Sequence, residues 1–225
     1  MLKLFSQIKR FVLDLLLPIE CLNCSQPGEY FCTSCQAKLK INNLENSMSL
    51  STNLKRHNLE KVFIAGDYDD PLLQDLIIKY KYNFLAPLSD SLSKFLSDFW
   101  KKNNLDEFLN NQQPLLIPMP LSKKRLRWRG FNQADRLTEN LAERFGYKIS
   151  CDLSRRHRRP QAELNEQQRL KNLSGAFNWR GKSLAGKTVI IIDDVITTGT
   201  TIDEAAGVLK KAGASQVWAL ALAKG

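Results

Sequence analysis

The sequence predicts an α/β fold, a mostly parallel sheet with helices on both faces, preceded by a small cysteine-rich module. Three observations support this prediction. Apolar strand-like runs alternate with helical patterns from Lys61 onward, four cysteines form two close pairs near the N-terminus, and one apolar run leads into two acids and a Thr/Gly loop. Strands that alternate with helices are typical of parallel sheets covered on two sides.

The composition is that of a soluble globular protein and gives no sign of general disorder. The chain has 225 residues, of which 43% are hydrophobic and 25% charged, and this length accommodates one α/β domain with a small appendage. The net charge is +10. Such a balance favours polyanionic partners, namely nucleic acid, phosphorylated ligands or an acidic membrane surface.

The excess positive charge is concentrated in two short stretches. Residues 122–130 read SKKRLRWRG and residues 154–160 read SRRHRRP, and neither stretch contains an acid. We interpret both as loops and expect Trp128, which stands between two arginines, to be exposed. The two stretches together contain Lys123, Lys124, Arg125, Arg127, Arg129, Arg155, Arg156, Arg158 and Arg159.

The first twenty residues are interpreted as an amphipathic packing helix. Leu4, Ile8 and Phe11 share one helical face. Asp14 interrupts the apolar run, no small-residue cleavage site follows, and the run is too short to span a bilayer. We therefore expect a cytoplasmic protein, and contact of this basic helix with the inner face of the membrane is the alternative.

Four cysteines predict a metal module. Cys21, Cys24, Cys32 and Cys35 follow the spacing C-x2-C, seven residues, C-x2-C. A two-residue gap lets both thiolates of a pair face one ion, and tetrahedral zinc takes four sulfurs at about 2.3 Å. We predict a structural Zn²⁺ with no open coordination position. The fifth cysteine, Cys151, is expected to be a buried core residue.

The polarity of the chain predicts three parts. Residues 1–40 hold the N-terminal helix and the zinc module, and residues 41–60, rich in Asn and Ser, are expected to be a linker. Residues 61–225 form the α/β body. Its strands are predicted at 61–68, 114–121, 147–153, 188–193 and 216–223, and its helices at 71–82, 88–102, 131–145 and 200–212.

Each predicted element has its own signal in the sequence. The strands are short apolar runs bounded by polar residues, and the helices carry apolar residues at helical spacing, as at Leu92, Phe95 and Phe99. Pro71 stands in the first turn of one helix and Gly213 follows the end of another. In such sheets ligands bind outside the carboxyl ends of the strands, which is where both basic stretches and the Thr/Gly loop are placed.

Residues 189–201, VIIIDDVITTGTT, predict a site for a phosphorylated sugar. A Thr/Gly loop between a strand and a helix offers backbone N–H groups and hydroxyls near the positive end of the helix dipole. Asp193 and Asp194 would repel a bare phosphate, but carboxylates accept hydrogen bonds from vicinal hydroxyls or bind Mg²⁺. The structural alternative is a strand end with solvent-facing acids and a helix cap. The predicted phosphate loop comprises Thr197, Thr198, Gly199, Thr200 and Thr201.

Two other phosphate motifs are not supported. No G-x-G-x-x-G follows a predicted strand. Residues 181–188, GKSLAGKT, match the P-loop pattern, but that loop must follow a strand and open a helix, whereas this one leads into a strand. We interpret the match as accidental.

The same residues resemble a known family. The segment VIIIDDVITTGTT is similar to the phosphoribosyl pyrophosphate signature of type I phosphoribosyltransferases. The whole chain resembles the ComF-type competence proteins more closely, because several features recur in order over nearly its full length. These are the four-cysteine module, YDDPLLQDLIIKYKY, IPMPLSKKRLRWRGFNQADRLTENLA, RRHRRPQAELNEQQRLKNLSGAF and the signature itself.

The resemblance implies a phosphoribosyltransferase-like domain behind a zinc finger, and a role in natural transformation that handles incoming single-stranded DNA. It also implies that Asp193 and Asp194 bind ribose hydroxyls, that the threonine loop binds the 5-phosphate, and that Lys123 and Arg127 face pyrophosphate. Mg²⁺ would accompany phosphoribosyl pyrophosphate. Other competence proteins are further expected partners.

Two functions remain open from the sequence. One is an active phosphoribosyltransferase, for which no segment specifies a base pocket. The other, which we favour, is a module that binds single-stranded DNA and retains the phosphoribosyl pyrophosphate site, because single-strand binding needs a basic track with stacking rings. The expected nucleic-acid contacts are Lys124, Arg125, Trp128, Arg129, Arg155, Arg156, Arg158 and Arg159.

Overall fold

A computed structural model describes residues 19–52, 54, 57–82, 85–109, 112–155 and 175–225. The predicted N-terminal helix lies outside these residues, as do Arg156, Arg158 and Arg159. The described residues form two compact units, which divide between Leu39 and Lys40. Among the described helices, none combines the length and the apolar character that crossing a membrane requires.

The first unit is built around the paired cysteines. The backbone N–H of Cys21 donates to the carbonyl of Gln26 over 2.8 Å, and the N–H of Leu22 donates to Tyr30 over 3.0 Å, which folds the segment back on itself. A short helix, α1, Thr33–Gln36, follows and carries the last cysteine on its buried side. Backbone hydrogen bonds and the buried side chains of Phe31 and Leu39 hold this unit together.

The second unit contains a five-stranded sheet whose strand pairs are all parallel. The strands are ordered β1-β7-β6-β2-β3, and a separate antiparallel pair is formed by β4 and β5. This confirms the predicted mostly parallel α/β class. The strands are β1 Lys61–Asp67, β2 Leu115–Pro118, β3 Lys148–Ile149, β4 Leu153–Arg155, β5 Phe177–Trp179, β6 Thr188–Ile196 and β7 Gln216–Lys224.

Strand β6 is covered on both faces of the sheet. Side chains of successive strand residues point to opposite faces, and Val189, Ile190, Ile191 and Ile192 are all fully buried. A continuous apolar run is what a strand buried on both faces requires. Asp193 and Asp194 follow this apolar run near the carboxyl end of β6, so the sheet delivers both acids to that edge.

The helices of the second unit pack around this sheet. The predicted helices at 71–82 and 88–102 have the predicted bounds, and those predicted at 131–145 and 200–212 are shorter by one or two residues at an end. A 3-10 turn covers Leu105–Leu109. The helices are α2 Leu44–Ser51, α3 Pro71–Tyr82, α4 Leu88–Lys102, α5 Lys123–Arg129, α6 Gln133–Phe145 and α7 Thr200–Lys211.

Residues 41–60 are not simply a linker, because they contain α2, which docks on β1. The side chain of Asn43 caps this helix by accepting a hydrogen bond from the N–H of Asn46 over 2.7 Å. The buried hydroxyl of Ser47 accepts a hydrogen bond from the N–H of Ile64 over 2.7 Å. The N–H of Asn42 donates to Ala65 over 2.8 Å. Polar residues of this segment form hydrogen bonds with the backbone of the edge strand β1. The segment therefore lacks the apolar pattern from which its packing could have been predicted.

The basic stretch predicted as a loop is largely the helix α5. The hydroxyl of Ser122 accepts a hydrogen bond from the N–H of Arg125 over 3.3 Å and caps the N-terminus of the helix. Gly130, with φ of 74°, ends it in the left-handed conformation that glycine adopts without steric cost. The cap residues were visible in the sequence, but the short, charged segment has little apolar periodicity.

The strand predicted at 147–153 is divided into β3 and β4, which belong to different sheets. Between them the hydroxyl of Ser150 donates to the Asp152 carboxylate over 2.7 Å in a local turn. Cys151 lies in this turn and is exposed, so the expectation of a buried core cysteine was wrong.

Asp203, in the first turn of α7, anchors the segment that leads into β1. Its carboxylate is 8% exposed and accepts hydrogen bonds from the N–H groups of His57 and Asn58, both over 2.7 Å. The Asn58 amide donates to the other carboxylate oxygen over 2.9 Å. These contacts give Asp203 a structural role.

We predict that Asp203→Ala lowers the free energy of unfolding by about 2 kcal/mol, because it leaves backbone donors without their acceptor. Urea denaturation of the full chain measures the change. Lys211→Ala, at the exposed end of the same helix, is the control and should have an effect within about 0.5 kcal/mol. Equal losses for the two variants would contradict the anchoring role.

Candidate functional site

A cleft of about 520 Å³ lies at the carboxyl ends of strands β2 and β6. Its lining comes from the end of α3, the segment after β2 with helix α5, the end of β4, and the end of β6 with the loop into α7. Such a position is the usual ligand site of an α/β sheet, and the volume is that of a small-molecule site.

The two acids at the end of β6 both line this cleft. Asp194 is 8% exposed, and its carboxylate forms an ion pair with Lys81 at the end of α3, with a Nζ–Oδ1 distance of 3.0 Å. The N–H of Asp194 donates to Oδ1 of Asp193 over 2.9 Å. A backbone group thus holds the Asp193 carboxylate, and a cation from a different element balances that of Asp194.

Asp193 titrates far above an ordinary aspartate. Burial raises its pKa to about 7, and the negative charge of Asp194 adds to the rise. The hydrogen bond from the Asp194 N–H, together with the charges of Lys81 and Arg155, acts in the opposite direction. A ligand that offers hydroxyl donors or a cation would stabilise the ionised form of this carboxyl group, which burial disfavours in the free protein.

Lys81 was not among the site residues predicted from the sequence. Its only signal was a lysine within KYKY at the end of a helix whose apolar residues share one side. Its partner, Asp194, is distant in the chain, and only the folded sheet brings the two together. No local pattern could have predicted this ion pair.

The Thr/Gly loop forms the N-terminus of α7 as predicted. Gly199 precedes the helix with φ of 78°, and its carbonyl accepts the first intrahelical bond, from the N–H of Asp203 over 2.9 Å. Thr197, Gly199 and Thr201 line the cleft. The N–H groups in the first turn of a helix have no intrahelical acceptors, which makes this end of α7 suited to an anion.

The other two threonines of the loop make contact with each other. The hydroxyls of Thr198 and Thr200 lie 3.1 Å apart, and neither residue is part of the cleft lining. The side chains of these two threonines thus contact each other within the loop.

One side of α5 faces the cleft. Arg125, Trp128 and Arg129 all line it, and this i, i+3, i+4 spacing places them on one face of a helix. Arg155, at the end of β4, lines the cleft as well. Burial lowers the pKa of Arg155, and the positive charge of Arg125 acts in the same direction.

Lys123 and Arg127, predicted to face pyrophosphate, are exposed and do not line the cleft, and the same is true of Lys124. The reason is the helical conformation of the segment, which turns these side chains away from the face that carries Arg125. Among the described cations of α5, Arg125 and Arg129 are the ones at the cleft.

Arg129, predicted as a nucleic-acid contact, lines the cleft but is buried, with 7% of its surface exposed. Its Nη1 donates to the side chain of Gln133 over 3.0 Å, and its guanidinium lies 5.3 Å from the ring of Tyr82. Trp128, in contrast, is 57% exposed, and its ring centroid is 5.7 Å from that of Tyr82. Tyr82 also lines the cleft and was missed by the sequence analysis.

The four cysteines of the first unit lie together as predicted. Their ligand atoms are all within 4.8 Å of one another, and the sulfurs of Cys24 and Cys32 are 3.6 Å apart. Tetrahedral coordination with bonds of about 2.3 Å requires sulfur separations of about 3.8 Å. The N–H of Cys32 donates to the sulfur of Cys21 over 3.4 Å. The cluster could therefore hold a metal ion.

Comparison with known proteins shows similarity both in the sheet domain and over most of the chain. The family model described as phosphoribosyl transferase domain matches residues 132–225, which include the acids and the threonine loop. Three curated relatives extend the similarity beyond this domain. Competence protein F of Haemophilus influenzae is 28% identical over 209 residues, which cover 90% of this chain and 84% of the relative.

The other two relatives carry different names. DNA utilization protein YhgH of Salmonella typhimurium is 37% identical over 172 residues, or 72% of this chain and 71% of the relative. Competence protein ComFC of Streptococcus pneumoniae is 30% identical over 152 residues, or 68% of this chain and 63% of the relative.

We predict that Asp193→Asn stabilises the free protein. Because the folded state raises the pKa of Asp193, ionisation of this group destabilises the fold progressively as the pH rises from about 4 through about 7. The asparagine stays neutral and keeps an oxygen for the Asp194 N–H. The gain should reach about 1–2 kcal/mol at alkaline pH and be smaller near pH 5, as measured by urea denaturation at both.

Asp194→Asn is the matched comparison and should have the opposite sign. It removes the partner of Lys81, whose side chain is 14% exposed, and so leaves a largely buried ammonium without its counter-charge. Destabilisation by Asp193→Asn at alkaline pH would contradict the proposed charge state of the pair.

Proposed function

The chain belongs to the family of competence protein F, ComFC and DNA utilization protein YhgH, and we propose that it handles single-stranded DNA in natural transformation and binds phosphoribosyl pyrophosphate. One observation carries the proposal. Paired acids, a helix N-terminus and a basic, aromatic helix face all line a single cleft.

The phosphosugar half of the proposal rests on the end of β6. The 5-phosphate is assigned to the N-terminus of α7, where free N–H groups and the helix dipole favour an anion. The ribose hydroxyls are assigned to Asp193 and Asp194, which accept charge-assisted hydrogen bonds. The carboxylate oxygens suit Mg²⁺, which neutralises part of the pyrophosphate charge when bound. Arg125 and Arg155 replace Lys123 and Arg127 as the groups that would face pyrophosphate, because they line the cleft.

The nucleic-acid half rests on α5 and its surroundings. Proteins that bind single strands without sequence preference combine a cationic groove with aromatic side chains on which bases stack. Trp128 and Tyr82 supply exposed rings, and Arg125 and Arg155 supply cations beside them. Lys123, Lys124 and Arg127, on the outer side of α5, extend the positive field.

Transfer of phosphoribose to an acceptor is the second candidate function, and the match to the phosphoribosyl transferase domain favours it. The chain would then orient the sugar in the cleft and stabilise the departing pyrophosphate with its arginines. Asp203 does not serve as a general base in this scheme, because its carboxylate is held by His57 and Asn58.

The cysteine cluster is assigned a structural Zn²⁺. Four thiolates fill a tetrahedral site and leave no position for a substrate, so the ion would stabilise the first unit by holding its two cysteine pairs together.

We predict about one zinc ion per chain in the purified protein, as measured by elemental analysis. Cys24→Ser should lose the ion and unfold the first unit, whereas Cys151→Ser, at an exposed cysteine outside the cluster, should retain it. A wild-type protein without metal would contradict the assignment.

Binding of labelled oligo-dT, followed by fluorescence anisotropy at two salt concentrations, tests the main proposal. Six to ten phosphate contacts would lower the affinity by on the order of 10³ or more between about 50 and 200 mM salt. Trp128→Ala should weaken binding by about 1–3 kcal/mol through lost stacking. Leu126→Ala, also exposed on α5, is the control and should have little effect. Unmeasurable DNA binding, with release of pyrophosphate when a nucleobase is added, would favour the transferase instead.

A further inference from the structure

We propose that single-stranded DNA enters the phosphosugar cleft itself, so that DNA and phosphoribosyl pyrophosphate exclude one another. The inference rests on the proposed function and concerns how its two ligands share the protein. Separate sites would allow both ligands to bind at once, whereas a shared cleft makes one ligand displace the other.

The residues assigned to the two ligands line the same space. Arg125 and Trp128 of α5, and Arg155 of β4, belong to the lining that also contains Asp193 and Thr197. The helix turns these two α5 side chains toward the cleft and sends Lys123, Lys124 and Arg127 elsewhere. A strand that stacks on Trp128 therefore lies at the opening of the phosphosugar site.

One of the two exposed rings follows, in the chain, the lysine that pairs with Asp194. Tyr82 and Trp128 are 46% and 57% exposed, and their rings are tilted by 57°, so neither ring covers the face of the other. Tyr82 is the neighbour of Lys81, which pairs with Asp194 over 3.0 Å. A base stacked on this pair brings its adjoining phosphates to the cationic part of the cleft.

The charge balance of the cleft permits a phosphodiester despite the two acids. Four cations, Lys81, Arg125, Arg129 and Arg155, line it beside the two aspartates. Lys81 compensates Asp194, and the four cations outnumber the two acids even when both carboxylates are ionised. The Nε of Arg129 is buried without a hydrogen-bond partner among the described residues. The free cleft is therefore cationic overall, and a bound phosphoribosyl pyrophosphate would remove this attraction for DNA.

The test is a competition titration. Phosphoribosyl pyrophosphate with Mg²⁺ is added to the complex of the full chain with labelled oligo-dT at constant ionic strength, and sodium sulfate replaces it in the control. Competition predicts that the apparent Kd for DNA rises linearly without a plateau, by about 11-fold at ten times the Kd of the competitor. The sulfate control should cause no such rise.

Two neighbouring cations of α5 provide matched variants. Arg125→Ala should weaken both ligands, each by at least about threefold, because Arg125 lines the shared cleft. Lys124→Ala removes the same charge from a residue that does not line it. This variant should weaken DNA binding modestly through the general field, and leave calorimetric binding of phosphoribosyl pyrophosphate unchanged.

The outcomes separate this inference from the proposed function. If DNA binds and its apparent Kd stays constant while phosphoribosyl pyrophosphate saturates the protein, the two sites are independent and the inference is overturned alone. A plateau at intermediate affinity, indicating a ternary complex, overturns it as well. If oligo-dT does not bind at all, the DNA-handling function fails first.

Discussion

The ion pair between Lys81 and Asp194 is the interaction on which the cleft depends. The sheet delivers two adjacent carboxylates to the end of a strand buried on both faces, where repulsion between them would be weakly screened. Lys81 balances one charge, and the raised pKa of Asp193 reduces the other. The same contact fixes the end of α3, and with it Tyr82, beside the acids. The same ion pair thus balances the charge of Asp194 and positions Tyr82 in the lining of the cleft.

Because residues 123–129 form helix α5, the cations of this basic stretch are divided between two faces. A loop with the same sequence would present its cations without order, but a helix separates them into a face at the cleft and a face in solvent. The buried Arg129, packed against Tyr82 and bonded to Gln133, ties this helix to α3 and α6. These contacts place Trp128 at the opening of the cleft. The proposal that DNA and the phosphosugar bind in the same cleft depends on this position.

Sequence reasoning succeeded where a residue's role is encoded locally. The apolar run of β6, the amphipathic helices α4 and α6, and the cysteine spacing each carry a strong periodic or spacing signal. The position of the acids and the threonine loop between a strand and a helix was predicted for the same reason, because these elements follow one another directly. It failed where the structure relies on polar contacts between distant segments. Helix α2 docks through Ser47 and Asn42, and Lys81 finds Asp194 only after the sheet has formed. In α5, charged residues hide a helix whose apolar stripe is too short to detect.

A crystal structure with phosphoribosyl pyrophosphate and Mg²⁺ tests the central claim most directly, namely that β6 and α7 build one pentose-phosphate site. We expect the 5-phosphate oxygens within hydrogen-bond distance of the N–H groups at Gly199 to Thr201, and the ribose hydroxyls at the carboxylates of Asp193 and Asp194. A ligand bound elsewhere, or bound in the cleft with both acids turned away from the ribose, would contradict it.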